Sequence, residues 1–356
     1  MLGRFLLVLG LLALLATGWA ALQHRFTPSL AKASRALPSR FRFGGPGAAL
    51  AGEVQPAPRV PWWHDRIEGV ATPPLSETLN LLLVGLDTRP DMPWGGRADA
   101  LVVVVVDLRS EHVGLVSIPR DLLVAIPGAE PNRINAVYNQ GVREGGPERG
   151  VALLKEVVRA TLGLPISGSV LVDHAGFEAL VDHLEGITVV VPCTIRDRFL
   201  DPRGPGGRLP LQVEAGVRHL DGRTALMYAR SRHGRSIFDR AIRQQAILVG
   251  LRDRLLELGP TRIASAIPHL QRTVRTELGA LDTLKLARRL TRIKREHIHG
   301  LVLDPRHADV ITLPDGRWVM VPKPDAIHDA LAHLFEARAP GLRRSAACPP
   351  EDAALR

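Results

Sequence analysis

Leu79-Asn-Leu-Leu-Leu-Val-Gly-Leu-Asp-Thr-Arg89 is an almost unbroken apolar run that ends abruptly in charge. Two runs of the same kind follow, Ala100 to Val106 and Val113 to Ser117. None of them alternates apolar with polar residues, so strands built from them must be buried on both faces. That pattern predicts an α/β domain, a central sheet covered by helices above and below. Charged residues stand where the runs stop: Asp87 and Arg89 after the first, Arg97 and Asp99 at the end of the Gly/Pro loop that leads into the second, and Arg120-Asp121 after the third. In open α/β sheets, ligands bind at such strand ends.

Downstream, Leu153, Leu154, Val157, Val158 and Leu162 have helical spacing. Val170 to Val172 reads as a strand, Ala175 to Leu184 as a helix closed by Gly186, and Ile187 to Val191 as a further strand. Arg196 to Leu211 reads as a Pro/Gly loop, and Asp221-Gly222 opens a short helix. The stretch after it, Tyr228 to Gln245, holds Arg230, Arg232, Arg235, Arg240 and Arg243. From Asp239 it reads as a helix on which Arg240, Arg243 and Gln244 share one arc, while Arg230 and Arg232, two apart, project to one side if extended. Four guanidiniums and an amide can thus converge on one anion, and the arginine fork suits phosphate oxygens. A solvated basic face is the bland alternative, and the apolar residues between the arginines argue against it by tying the cluster to a core.

The chain has 356 residues, a net charge of +10 and 46% hydrophobic residues; its pI of about 10.6 favours an anionic partner. Phe5 to Leu22, preceded by Arg4, is long and apolar enough for a transmembrane helix. The positive-inside rule then leaves residues 1–4 as a short cytoplasmic end and the rest of the chain extracytoplasmic, with cleavage near Ala20-Ala21 as the alternative. Residues 23–77, with eight prolines from His24 onward, read as an extracytoplasmic linker. A catalytic domain is expected at 78–257, a smaller α+β extension with a hairpin at Asp315-Gly316 at 258–337, and a disordered tail at 338–356. Cys193 and Cys348 are the two cysteines, and whether they pair is left open.

Gly-x-x-x-x-Gly-Lys-Ser/Thr, Gly-x-Ser-x-Gly and His-Glu-x-x-His are all missing from the sequence, and His328 and His333 are five apart rather than four. Asp87 and Asp99 bracket the Gly/Pro loop, and Mg²⁺ takes one or two carboxylates together with substrate phosphates. A nucleic-acid partner is set aside, because the sequence shows no recognition-helix signature and an extracytoplasmic domain does not meet DNA.

Read in order, Leu81-Leu-Leu-Val-Gly-Leu-Asp-Thr-Arg89, Gly96-Arg-Ala-Asp-Ala100, Ser117-Ile-Pro-Arg-Asp121, Arg133-Ile-Asn-Ala-Val-Tyr138, Leu220-Asp-Gly-Arg-Thr-Ala-Leu226, Tyr228-Ala-Arg-Ser-Arg232 and Asp239-Arg-Ala-Ile-Arg-Gln-Gln245 resemble the successive motifs of the LytR-CpsA-Psr (LCP) family. The resemblance implies a mixed-sheet α/β/α domain, a membrane-associated transferase, and movement of a glycosyl phosphate from a polyprenyl-pyrophosphate-linked glycan to a peptidoglycan hydroxyl. It implies that Asp87 and Asp99 bind Mg²⁺ and that Arg89, Arg120, Arg230, Arg232, Arg243 and Gln244 grip the pyrophosphate. Arg120, Asp239 and Arg240 are the candidate catalytic residues, Arg240 falling on the arginine of the last motif. One position departs from the pattern: Ile237 stands where many members carry an acid. The general base is therefore open between Asp239, Asp121 and no dedicated residue, with Asp239 favoured as an ion-pair partner that orients the arginines. Hydrolysis of the lipid pyrophosphate, a regulatory role and wall binding without catalysis are the other readings.

Overall fold

The computed structural model describes residues 71–89, 92–200, 208–231, 237–258, 274–278, 286, 290 and 292–336. Strands β1 (Leu79–Arg89), β2 (Met92–Asp107) and β3 (His112–Ser117) form an antiparallel meander, followed by a small hairpin of β4 (Leu123–Ile126) and β5 (Ala129–Arg133). Helix α1 (Val137–Leu162), broken at Gly145 and Gly146, crosses to β6 (Gly168–Asp173), which lies parallel to β1. Next come α2 (His174–His183), β7 (Ile187–Val191), β8 (Ile195–Leu200), β9 (Arg208–Val213), β10 (Gly216–Leu220), α3 (Gly222–Arg230) and α4 (Ile237–Glu257). The described chain ends with β11 (Val274–Thr276), β12 (Ile298–Val302), β13 (Ala308–Thr312), β14 (Trp318–Pro322) and α5 (Pro324–Ala332).

The six-stranded central sheet has the order β11-β6-β1-β2-β3-β12 and is mixed. Its two faces explain the unbroken apolar runs. Leu82, Val84, Leu86, Leu101, Val103 and Val105 pack in one core with Leu153, Leu154, Val157 and Val158 of α1. The alternate residues Leu83, Val102, Val104 and Val106 pack with Leu248 and Val249 of α4 on the other side. Local chemistry starts and stops the helices: Asp173 accepts from Gly176 N at 2.7 Å and Asp221 from Thr224 N at 2.7 Å as side-chain caps, while Gly186, at φ 89°, follows α2 where a side chain would be strained.

Gln245 joins α4 to the far edge of the sheet. Its buried amide nitrogen lies 2.9 Å from Leu115 O and Ser117 Oγ and 3.0 Å from Leu301 O, spanning β3 and β12.

Three expectations are corrected. The first is the membrane-spanning helix: among the described residues no helix is long and apolar enough to cross a membrane. Helices α1 and α4, with 26 and 21 residues, carry charges along their length. The stretch 5–22 on which that expectation was placed lies outside the described residues, and the single-pass, extracytoplasmic localisation is withdrawn with it. The second is the small extension, which does not stand apart. β12 pairs with β3, β11 pairs with β6, and Ile327, Leu331, Leu334 and Phe335 sit in the α1 core. The third is the loop at 196–211, whose flanks pair as the β8–β9 hairpin. Ile195 and Leu211 are buried, but Asp197 takes an inward position that broke the apolar alternation in the sequence. The hairpin at Asp315-Gly316 and a last helix appear as read, as β13–β14 and α5. Cys193 is disulfide-bonded; Cys348 lies outside the described residues.

Candidate functional site

The site begins with a defect in strand pairing. Gly85 pairs with Ala100 and Leu86 with Ala98, so Asp99 has no residue opposite it. In an unbroken strand, Asp99 and Ala100 would point to opposite faces; at this bulge both line the same cavity. Close approach of the first part of β2 to β1 depends on Gly96, at φ 110°, where a side chain would run into the backbone of Asp87.

Register builds the floor below. Leu83 of β1 stands between Val102 of β2 and Val170 of β6, and Gly85 stands between Ala100 and Val172. All six line a cavity of about 640 Å³. Its roof and walls come from Phe177 and Leu180 of α2, Leu226 of α3, Ile247, Leu248 and Leu251 of α4, Phe199 of β8 and Val274 of β11. Much of the lining is therefore hydrocarbon. Charge gathers with Asp99, Arg120, Asp173, His174, Asp197, Arg198, Arg230, Arg240 and Gln244, which line the same cavity.

Side-chain pairings order that charge. Arg120 donates from Nη1 to Asp99 at 2.9 Å, with both side chains partly buried. Arg230, at the end of α3, lies with its guanidinium 5.9 Å from the centre of the Phe199 ring. His174 Nδ1 is 3.5 Å from Asp87. Burial, reinforced by the neighbouring Arg230, holds the His174 pKa below its ordinary value, although Asp87, Asp99 and Asp173 pull it the other way.

Five of the residues expected from sequence come together here: Asp99, Arg120, Arg230, Arg240 and Gln244 line the cavity, and Asp87 touches His174 at its edge. Arg243 does not line it. It is 6% exposed, and it donates to Tyr228 O at 3.1 Å and to Ser231 O, clamping the end of α3 to α4. Burial pushes its pKa down, while Tyr228, Asp239 and Asp197 oppose the shift. Asp239 also lies off the cavity. Asp121 is buried against Arg133 at 3.3 Å and Arg120 at 3.5 Å, turned toward the β4–β5 side. Arg232 and the side chains of Arg89 and Ile237 lie outside the described residues.

Sequence reading missed His174, Asp173, Asp197 and Phe199. Asp197 accepts from Ser231 Oγ at 2.6 Å, bringing the β8–β9 hairpin to the arginine segment. His174 had one local clue, its place directly after a strand end and beside a helix cap.

Asp99, which lines the cavity, and Asp87, beside the cavity-lining His174, are the carboxylate type that Mg²⁺ takes together with substrate phosphates. No group of three or more His, Cys, Asp or Glu side chains able to hold a metal occurs among the described residues, so the phosphates would have to complete the coordination.

The family model described as the LytR_cpsA_psr family matches residues 65–333. Among curated relatives, the polyisoprenyl-teichoic acid–peptidoglycan teichoic acid transferase TagV of Bacillus subtilis is 33% identical over 181 residues, 49% of this chain and 43% of the relative. The corresponding TagU of Enterococcus faecalis is 28% identical over 216 residues, 59% of this chain and 65% of the relative. The match thus spans 43% to 65% of the length of these relatives. The crystal structure of B. subtilis TagV is similar with a TM-score of 0.59 and 27% identity, covering 73% of this chain and 97% of that one. The structure titled TagT bound to LI-WTA, at 20% identity and a TM-score of 0.55, covers 76% of this chain and 95% of that one and shares the fold.

Proposed function

Because the chain belongs to the LytR_cpsA_psr family, we propose that it transfers a glycosyl phosphate from a polyprenyl-pyrophosphate-linked glycan to a hydroxyl of peptidoglycan. One observation carries the reading: a single cavity is lined both by arginines and by an extensive hydrocarbon surface. An amphiphile with an anionic head and a branched apolar chain matches both parts. A purely polar substrate would leave the apolar lining unused.

The lipid chain lies over Leu83, Val102 and Val170 beneath Leu248 and Leu251. The diphosphate then meets Arg120, Arg230 and Arg240. Asp87 and Asp99 would hold Mg²⁺, which when bound neutralises phosphate charge and orients the diphosphate. The acceptor oxygen forms a bond to the glycan-side phosphorus, the bridging phosphorus–oxygen bond breaks, and polyprenyl phosphate leaves. Arginines that are already ordered stabilise the charge developing on the leaving oxygen without reorganising. Arg120 is ordered by Asp99 and Arg230 by Phe199. Arg243 acts at one remove, fixing the carbonyls of Tyr228 and Ser231 on either side of Arg230. Asp121 and Asp239, the carboxylates considered as bases, lie off the cavity, which supports proton loss from the acceptor without either of them.

The test is turnover of a synthetic polyprenyl-pyrophosphate disaccharide with Mg²⁺, with and without peptidoglycan fragments. Formation of a phosphodiester-linked glycan together with polyprenyl phosphate is expected. Release of polyprenyl phosphate with the glycan phosphate always ending on water would make the protein a hydrolase. An absence of lipid binding would end the reading.

A further inference from the structure

Asp99 and Asp87 are held in different ways. The Asp99 carboxylate is fixed by Arg120 at 2.9 Å on a partly buried side chain. Asp87 is more open, its side chain 48% exposed, and the group placed against it is Nδ1 of His174 at 3.5 Å. That neighbour is built by the fold. β1 and β6 run parallel with Leu86 beside Asp173, which brings the residues that follow, Asp87 still in β1 and His174 at the start of α2, next to each other. Asp173 caps α2 through Gly176 N at 2.7 Å, which fixes the backbone that carries the imidazole. The ring is also confined, with a side chain only 25% exposed and set among the charges of Arg230, Asp99 and Asp173.

We propose that His174 is a positioning residue for the metal: its Nδ1–H holds the Asp87 carboxylate toward Asp99, so that the metal–diphosphate meets two carboxylates already in place. The proposal rests on the reading of Asp87 and Asp99 as the metal-binding pair. Nδ1 carries hydrogen when it faces a carboxylate whether the ring is neutral or cationic, so the role does not depend on titration. Partners of this kind orient ligands at metal sites, and their loss typically weakens metal affinity by about 10–100-fold. Asparagine can present an amide N–H from nearly the place of Nδ1; leucine cannot.

The experiment measures Mn²⁺ binding by electron paramagnetic resonance to the full-length protein in the presence of geranylgeranyl pyrophosphate. His174→Leu is expected to weaken Mn²⁺ by about 10-fold or more, His174→Asn to restore most of the loss, and Asp87→Ala/His174→Leu to bind no more weakly than Asp87→Ala alone. Circular-dichroism spectra and thermal unfolding of both His174 variants should match those of the unaltered protein, which reports that each is folded. If Asp87→Ala binds Mn²⁺ like the unaltered protein, the metal assignment itself fails. If Asp87→Ala is weakened while His174→Leu is not, or if Asn fares as badly as Leu in folded protein, the positioning role is overturned and the metal assignment stands.

Discussion

Replacing Arg243 with methionine keeps an unbranched side chain of similar reach and removes every donor. Two carbonyl oxygens, those of Tyr228 and Ser231, then lose a charged partner inside a region where Arg243 is 6% exposed. A buried acceptor left without its donor costs about 1–3 kcal/mol. Two of them, together with the lost ring contact to Tyr228 at 5.8 Å, come to about 3–5 kcal/mol, the range for breaking a buried charged interaction. For a domain of this size, each kcal/mol corresponds to about 2–4 °C, so the unfolding midpoint should fall by roughly 6–20 °C. Arg243→Lys should recover less than half, because one ammonium does not span two carbonyls as the guanidinium fork does. Urea and thermal unfolding followed by circular dichroism, without any lipid, measure the effect. The sequence pattern alone assigns Arg243 to the diphosphate, and that assignment makes the opposite forecast: an unchanged midpoint with lost lipid binding. Observing that pair of results would refute the structural role.

Three further outcomes follow from the same geometry. Leu251→Trp should occupy the apolar part of the cavity and weaken geranylgeranyl pyrophosphate by more than about 10-fold, one CH₂ being worth about 0.8 kcal/mol, while inorganic pyrophosphate binds as before; calorimetric titration of both compounds checks it. Gln245→Leu strips a shared donor from two strand carbonyls and should cost at least about 2 kcal/mol, read as a lower urea midpoint with faster hydrogen exchange in β12. Burial pushes both tyrosines, Tyr138 and Tyr228, up to about 12. The unfolded phenol ionises from about pH 10, whereas the folded phenol keeps its proton. Stability is therefore fully present below pH 10 and declines as the pH rises toward 12, by up to about 2–3 kcal/mol for Tyr228. Phenolate absorbance of the native protein should stay flat through pH 10, and Tyr228→Phe should shallow the alkaline loss.

What could be read from the residues was what depends on neighbours in the chain. Unbroken apolar runs at Leu79, Ala100 and Val113 required a doubly covered sheet, because a strand shows its burial in its own period. The helix start at Asp221 and the turn at Gly186 were legible for the same reason, since each bonds or bends within a few residues. The clustering of Asp87, Asp99, Arg120, Arg230, Arg240 and Gln244 was foreshadowed by motif order, which is how the family resemblance came into view. Tertiary structure decided matters set by residues far apart. A one-residue bulge against Gly85 turns Asp99 into the cavity, and no pattern along β2 reports it. Burial separates Arg243 from Arg240, although both lie on one arc of α4, because one meets the carbonyls ending α3 and the other meets the cavity. Parallel pairing of β1 with β6 sets His174 beside Asp87 across 87 positions of chain. β12 completes the sheet beside β3, so the segment that looked like an extension belongs to the core. In each case a side chain's role follows from which strand or helix stands opposite it, and that partner is chosen by register and packing of the whole domain.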